Sequence, residues 1–157
     1  MPRHKNYLPT GVIPAVLLPF NEDLSIDAPS FRSHLRDLAA VEGISAITIN
    51  AHATEVASCS FEEQKTVLEL AQDEIGVRVP IVNGIYAEGS LEAVRIAKMA
   101  DAGGASALLV FPSGITTFGQ RPAMAVEHFR RIADATDLPL ILFQYPPAGG
   151  QGYPLAT

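Results

Sequence analysis

The groups able to carry proton-transfer, nucleophilic or metal chemistry in this 157-residue chain are few: four His, one Cys, three Lys and seventeen Asp/Glu. The most suggestive placement is Asn50-Ala51-His52-Ala53-Thr54-Glu55, directly behind an apolar, β-branched run. An imidazole with an unperturbed pKa of about 6.5 suits proton transfer near neutrality, so His52 is the candidate acid/base. The other reading of His52, a loop cap bonded to backbone, stands beside it. Glu55 is read first as a loop holder that accepts backbone N–H groups, and only second as a catalytic group. His34 and His128 fall in helical stretches and read as packing or surface groups, and His4 lies in a polar tail. No His/Asp/Glu pair has ligand spacing on one element. Cys59 stands alone, which excludes an internal disulfide and a Cys-based zinc site. Neither a metal nor another cofactor is expected.

Composition narrows the function classes. Eleven Lys/Arg against seventeen Asp/Glu give a net charge of −6, so no basic stripe is available to neutralise nucleic-acid phosphates. With 48% hydrophobic residues the chain can bury a core, and its length suits a single domain over 1–157. No apolar run approaches membrane-spanning length, so no membrane partner is expected. The segment MPRHKNYLPT has positive charges but no apolar stretch behind it, because Pro14 and Pro19 interrupt the next ten residues. This pattern argues against a secretory signal and for a cytoplasmic protein.

Elements must position these groups, and a regular alternation supplies them. Apolar runs at Val12–Leu18, Ile44–Asn50, Val79–Gly84, Ser106–Phe111 and Leu138–Phe143 are short, nearly continuous and bounded by Gly or Pro. Such runs read as strands buried on both faces. Between them lie helical patterns: Phe31, Leu35 and Leu38; then Ser60 and Glu63 as a capping box before Val67, Leu68 and Ala71. A third runs through Leu91, Val94 and Ala97 to Gly103-Gly104, and Pro122 opens a fourth over Val126, Phe129 and Ile132. The runs begin near residues 12, 44, 79, 106 and 138, a βα period of about 31 that implies a parallel sheet. Two α/β architectures fit. A doubly wound sheet should close with a helix after its fifth strand, whereas QYPPAGGQGYPLAT is Pro- and Gly-rich. A (β/α)₈ TIM barrel of about 250 residues has the observed period and is the expected fold, with this chain covering about five units.

In either architecture ligands meet the C-terminal strand ends. Those ends carry Leu18-Pro19-Phe20, the His52 loop, Asn83-Gly84-Ile85-Tyr86, Phe111-Pro112-Ser113 and Phe143-Gln144-Tyr145. The glycines at 149, 150 and 152 come after a strand, but no helix start succeeds them to bind a nucleotide phosphate.

These strand ends carry a resemblance. Gly11-Val12-Ile13-Pro14-Ala15-Val16-Leu17-Leu18-Pro19-Phe20 matches the G-x-x-x-A-x-x-T-P-F opening of the dihydrodipicolinate synthase and N-acetylneuraminate lyase family. Asp27 matches its helix start, and Ala51–Glu55 aligns without gaps on its Gly-Thr-Thr-Gly-Glu loop. Further matches are Ser60–Glu63, Arg78–Gly84, Leu108–Pro112, His128-Phe129 and Asp137–Pro146. From about residue 11 onward the chain resembles that family, whose members are (β/α)₈ class I aldolases.

The resemblance implies a carbon–carbon lyase, or hydratase-aldolase, that handles a pyruvate-like 2-oxo acid through a Schiff base. It also implies a homo-oligomer, tetramer or dimer, for the complete protein. The family's paired threonines fall at His52 and Ala53, its proton-shuttling Tyr at Phe143, its later Tyr pair at Ser113 and Gly114, and a carboxylate-binding Arg at Ala148. These replacements point to a substrate other than that of the synthase. The imine Lys belongs to strand six, beyond residue 157, and Lys5, Lys65 and Lys98 are not at strand ends. His52 and Tyr145 are therefore the expected catalytic groups, with Ala53, Phe143, Gln144 and Tyr86 lining the substrate. A non-catalytic metabolite-binding barrel is the alternative. A five-strand wall is also expected to leave apolar edges at Val12–Leu18 and Leu138–Phe143.

Overall fold

The structure, a computed structural model, describes residues 4, 6–113, 121–146, 152–154 and 156–157. Lys5, Gly114, Ala148 and the glycines at 149 and 150 lie outside the described residues. Helix α1 (Ala28–Ala39) starts where the Asp27 side chain accepts the Ser30 N–H at 3.0 Å, and it buries Phe31 and Leu35 on one face. In α2 (Phe61–Glu74) the expected capping box is present: Ser60 Oγ accepts the Glu63 N–H at 3.2 Å, and the Glu63 carboxylate accepts the Ser60 N–H at 2.7 Å. Helix α3 (Ser90–Ala102) turns Ala93, Ile96, Ala97 and Ala100 inward and ends at Gly103; α4 (Pro122–Ala133) carries its proline in the first turn. Among the described residues no helix is long and apolar enough to cross a membrane.

Four strands, β1 (Ile47–Ile49), β2 (Ile81–Ile85), β3 (Ala107–Val110) and β4 (Leu140–Leu142), pair in parallel and in chain order. Ile49 stands opposite Asn83, Ile85 opposite Val110, and Val110 opposite Leu142. Ile47, Ile49, Ile81, Ile85, Leu108 and Val110 pack with the helices in two clusters. Ala46, Val82, Ala107, Leu109 and Ile141 face the other way, against Tyr7 and Ile13. Among the described residues helices α1 to α4 thus cover one face, and strand order does not reverse, which rules out a doubly wound sheet here.

The strand expected at Val12–Leu18 is instead an irregular segment joined to β1 and the residues before it by two isolated parallel bridges, Val12 to Ile44 and Ala15 to Thr48. The bridged positions are three apart in sequence on one side and four apart on the other, so the register slips by one. Pro14 sits in that gap with no N–H to offer, although its carbonyl accepts the Thr48 N–H at 2.8 Å. The remaining strands are shorter than their apolar runs for a related reason. Pairing starts at proline carbonyls, with Ile47 N–H donating to Pro80 O and Leu108 N–H to Pro139 O, both at 3.0 Å. At the sheet margins Val12, Leu17 and Leu142 are more than half exposed, whereas Val16 and Leu18 are buried against the α1 side.

One contact sets how closely β1 and β2 approach at their C-terminal ends. A Cβ on residue 84 would lie 1.9 Å from the Asn50 carbonyl oxygen, so only glycine fits. Replacing Gly84 by Ala forces backbone apart, unlike a clash with a flexible side-chain tip. We expect Gly84→Ala to destabilise the fold by about 3 kcal/mol, read as a shifted urea midpoint; an unchanged midpoint would contradict the close approach.

Candidate functional site

The loop behind β1 is held from below by buried amides. Asn50 has φ 51°, a left-handed conformation that Asn tolerates better than most residues. Its Nδ2 donates to Gln64 O and to Asn83 Oδ1, each at 2.9 Å, and Asn83 Nδ2 donates to Gly84 O at 2.8 Å. Asn50 and Asn83 are both fully buried. Thr54, also buried, donates its hydroxyl to Val16 O at 3.1 Å, which ties the loop to the first segment. Glu55 holds the loop through its backbone: it takes φ 53° and its N–H donates to His52 O. Among the described residues its carboxylate accepts no backbone N–H, the reverse of the expected mode.

On this base His52–Thr54 form a single tight turn that lifts the His52 ring over the strand ends. Carrying the β2–β3–β4 register one residue past Ile85, Val110 and Leu142 puts Tyr86, Phe111 and Phe143 on one level. The His52 ring lies 4.2 Å from Phe111, 5.5 Å from Tyr86, 6.0 Å from Phe143 and 5.5 Å from Tyr145, centroid to centroid. Phe143 and Tyr145 are 5.1 Å apart and share a side, so strand alternation persists past the end of β4. Tyr145 Oη is hydrogen-bonded to His52 Nε2 at 2.5 Å. With the proton on Nδ1, the phenol donates and the imidazole accepts.

The rings partly desolvate the polar groups they surround, although one edge of His52 stays exposed. Burial pushes the His52 pKa below its usual value, and burial together with the Tyr86 phenol pushes Tyr145 up. At pH 7 both are therefore neutral, an uncharged pair in hydrogen-bonding contact.

The other expected residues are placed differently. Gln144 is exposed and engages Tyr153, whose backbone oxygen and N–H it meets with both ends of its amide, while Tyr153 Oη donates to Phe143 O at 3.2 Å. Ala53 is outside the ring group and lines a cleft of about 420 Å³ with Leu17, Leu18, Pro19, Ser30, His34 and Glu55. His34 Nε2 accepts the Leu17 N–H at 3.3 Å, and His128 is buried against the Ser90 hydroxyl at 3.0 Å. Lys65 and Lys98 are exposed on helices, as expected. Phe111, the ring nearest His52, stands at one of the strand ends read from the sequence but is not among the residues expected to line the substrate. Its position one past a strand paired with the Phe143 strand was the available signal. Among the described residues no group of three His, Cys, Asp or Glu could hold a metal ion.

The sequence profile of the dihydrodipicolinate synthetase family matches residues 8–157. A 4-hydroxy-tetrahydrodipicolinate synthase from Azoarcus sp. (strain BH72) is 34% identical over 139 residues, covering 87% of this chain and 46% of that protein. The crystal structure of a prophage protein of the dihydrodipicolinic acid synthase family from E. coli K12, in complex with pyruvate, superposes with TM-score 0.80 at 25% identity, over 93% of this chain and 48% of that one. N-acetylneuraminate lyase from Mycoplasma synoviae shares the fold at TM-score 0.77 and 21% identity, over 87% of this chain and 46% of that one. The chain spans about half the length of the curated relatives it matches. Its parallel sheet and outer helices are thus part of a (β/α)₈ barrel, with the ring group at the face where such barrels hold their sites.

His52 and His128 both have pKa values lowered by burial, so the unfolded chain binds protons more readily than the folded one. Their contribution to stability is present above the unfolded value of about 6.5 and is lost as pH falls through the folded values. In an NMR titration both imidazoles should show midpoints below about 6.5. A His52 midpoint at or above that value would contradict its desolvation by the rings.

Proposed function

The chain belongs to the dihydrodipicolinate synthetase family, and from that premise we propose that it supplies the proton-handling wall of a class I aldolase-type lyase. The substrate of the complete protein is a pyruvate-like 2-oxo acid, held as a Schiff base on a lysine outside these 157 residues. No nucleic acid, membrane or cofactor enters the reaction, and the complete protein works as a soluble cytoplasmic homo-oligomer.

The observation that carries this reading is the Tyr145–His52 hydrogen bond at the barrel mouth. Family resemblance assigns proton shuttling to a phenol at the position of Phe143, which has no hydroxyl. Tyr145 offers that hydroxyl two residues later, on the same side and against the same ring. Its neutral partner His52 can take the phenolic proton as Tyr145 accepts one from the substrate hydroxyl, then return it. A two-group relay of this kind keeps charge out of the ring-lined site at rest, when both members are neutral.

Lys65 and Lys98 are solvent-exposed, and Lys65 lies 3.8 Å from Glu69, so neither is a desolvated amine poised to form an imine. Incubation of the 157-residue chain with pyruvate and borohydride should give no covalent adduct by mass spectrometry, whereas the complete protein should be labelled once per chain. In the complete protein His52→Ala should lower turnover by about 10²–10⁴ and Tyr145→Phe comparably. An unchanged pH–rate profile in His52→Ala would reject the relay. Absence of labelling in the complete protein would favour the non-catalytic metabolite-binding reading.

A further inference from the structure

We infer that the ring wall formed by His52, Tyr86, Phe111, Phe143 and Tyr145 selects a 2-oxo acid whose cleaved portion bears a neutral planar group, an aryl aldehyde in the lyase direction. This inference rests on the imine-lyase reading above and concerns what that site accepts beyond the pyruvate portion.

Three observations carry it. First, the wall is continuous: Tyr86 to Phe111 is 6.2 Å, Phe111 to Phe143 is 4.7 Å and Phe143 to Tyr145 is 5.1 Å between centroids. These are tilted or edge-on contacts, which leave ring surface free for a further ring at offset-stacking or edge-to-face distance. Phe111 is buried behind, while Tyr86, Phe143 and Tyr145 are only half-buried and present that surface. Second, the wall presents no cationic side chain: it is built of phenyl and phenol rings and an imidazole whose protonation burial disfavours. A second carboxylate or a phosphate placed against these five rings would lose water without gaining a counter-charge from them. Third, polar capacity is already committed. The Tyr145 hydroxyl proton is directed to His52, which leaves its oxygen to a single substrate hydroxyl, and Gln144 is turned to the Tyr153 backbone, so a polyhydroxylated chain would find few further partners on this wall.

The step balances within that geometry. The proton of the substrate's C4 hydroxyl passes to Tyr145 Oη while the Tyr145 proton passes to His52 Nε2. The C3–C4 bond breaks, its electron pair enters the imine on the lysine outside this chain, and the aryl aldehyde leaves.

The test compares retro-aldol cleavage by the complete protein on 4-hydroxy-4-phenyl-2-oxobutanoate, 4-hydroxy-2-oxoglutarate and a 3-deoxy-2-oxo sugar acid. We expect kcat/KM to favour the phenyl substrate by about tenfold or more, the scale of one good ring–ring contact. Phe143→Leu should erase most of that preference and Phe143→Tyr should keep it, so loss of the ring is separated from loss of the fold. Borohydride trapping of pyruvate is read on the same samples. An adduct without any aryl preference overturns this inference and leaves the imine reading standing. No adduct, with phenylpyruvate still shifting the His52 and Tyr145 resonances, supports the wall and removes the imine. No preference and no such shift overturns the wall itself.

Discussion

The site depends on how closely two strands can approach at their C-terminal ends. The Asn50 carbonyl occupies the space a side chain at residue 84 would need. That contact fixes the end of β1 against β2, and the Asn50–Asn83 amide pair beneath it locks the separation. The buried Asn50 and Asn83 N–H groups each depend on a protein acceptor, so this network has few alternative arrangements. The left-handed turn at Asn50 then has a single direction in which to launch the next residues, and His52 rises over the strand ends instead of running on toward the helices.

From there the parallel register does the positioning. Tyr86, Phe111 and Phe143 reach the same level because three strands are paired without slippage, each one residue beyond its last paired position. Their rings partly exclude water from His52 and Tyr145, and that exclusion holds the pair neutral where a solvated imidazole would be partly charged. Packing and electrostatics thus have one origin. The barrel wall, the absence of charge and the hydrogen bond to Tyr145 all arise from which residues stand at the strand ends.

Much of this was legible in the sequence because its signals are local. The Ser60–Glu63 box, Asp27 as a cap, Pro122 in a first turn and the βα period each act over a few residues, and the structure has all of them. Non-local features were harder to read. The slip between Val12 and Ala15 depends on how Pro14 meets a partner strand, which an apolar run cannot reveal. Phe111 closes an apolar run at a strand end, and only its register with Phe143 makes it a site wall. Tyr145 lies past the apolar run, where alternation is no guide, and nothing local shows that Gln144 would be claimed by Tyr153, nine residues away. Ala53 aligned with a family site position, yet the turn at 52–54 rolls it toward Leu17 and Pro19.

All of this requires that His52 stand among the strand-end rings and not against the outer helices. Nuclear Overhauser contacts from the His52 imidazole protons test this most directly. Cross-peaks to the ring protons of Phe111 and Tyr145, weakened when Asn50→Ala removes the amide pair below, are the predicted result. Cross-peaks from His52 to α1 or α2 side chains in the unaltered protein would contradict the account.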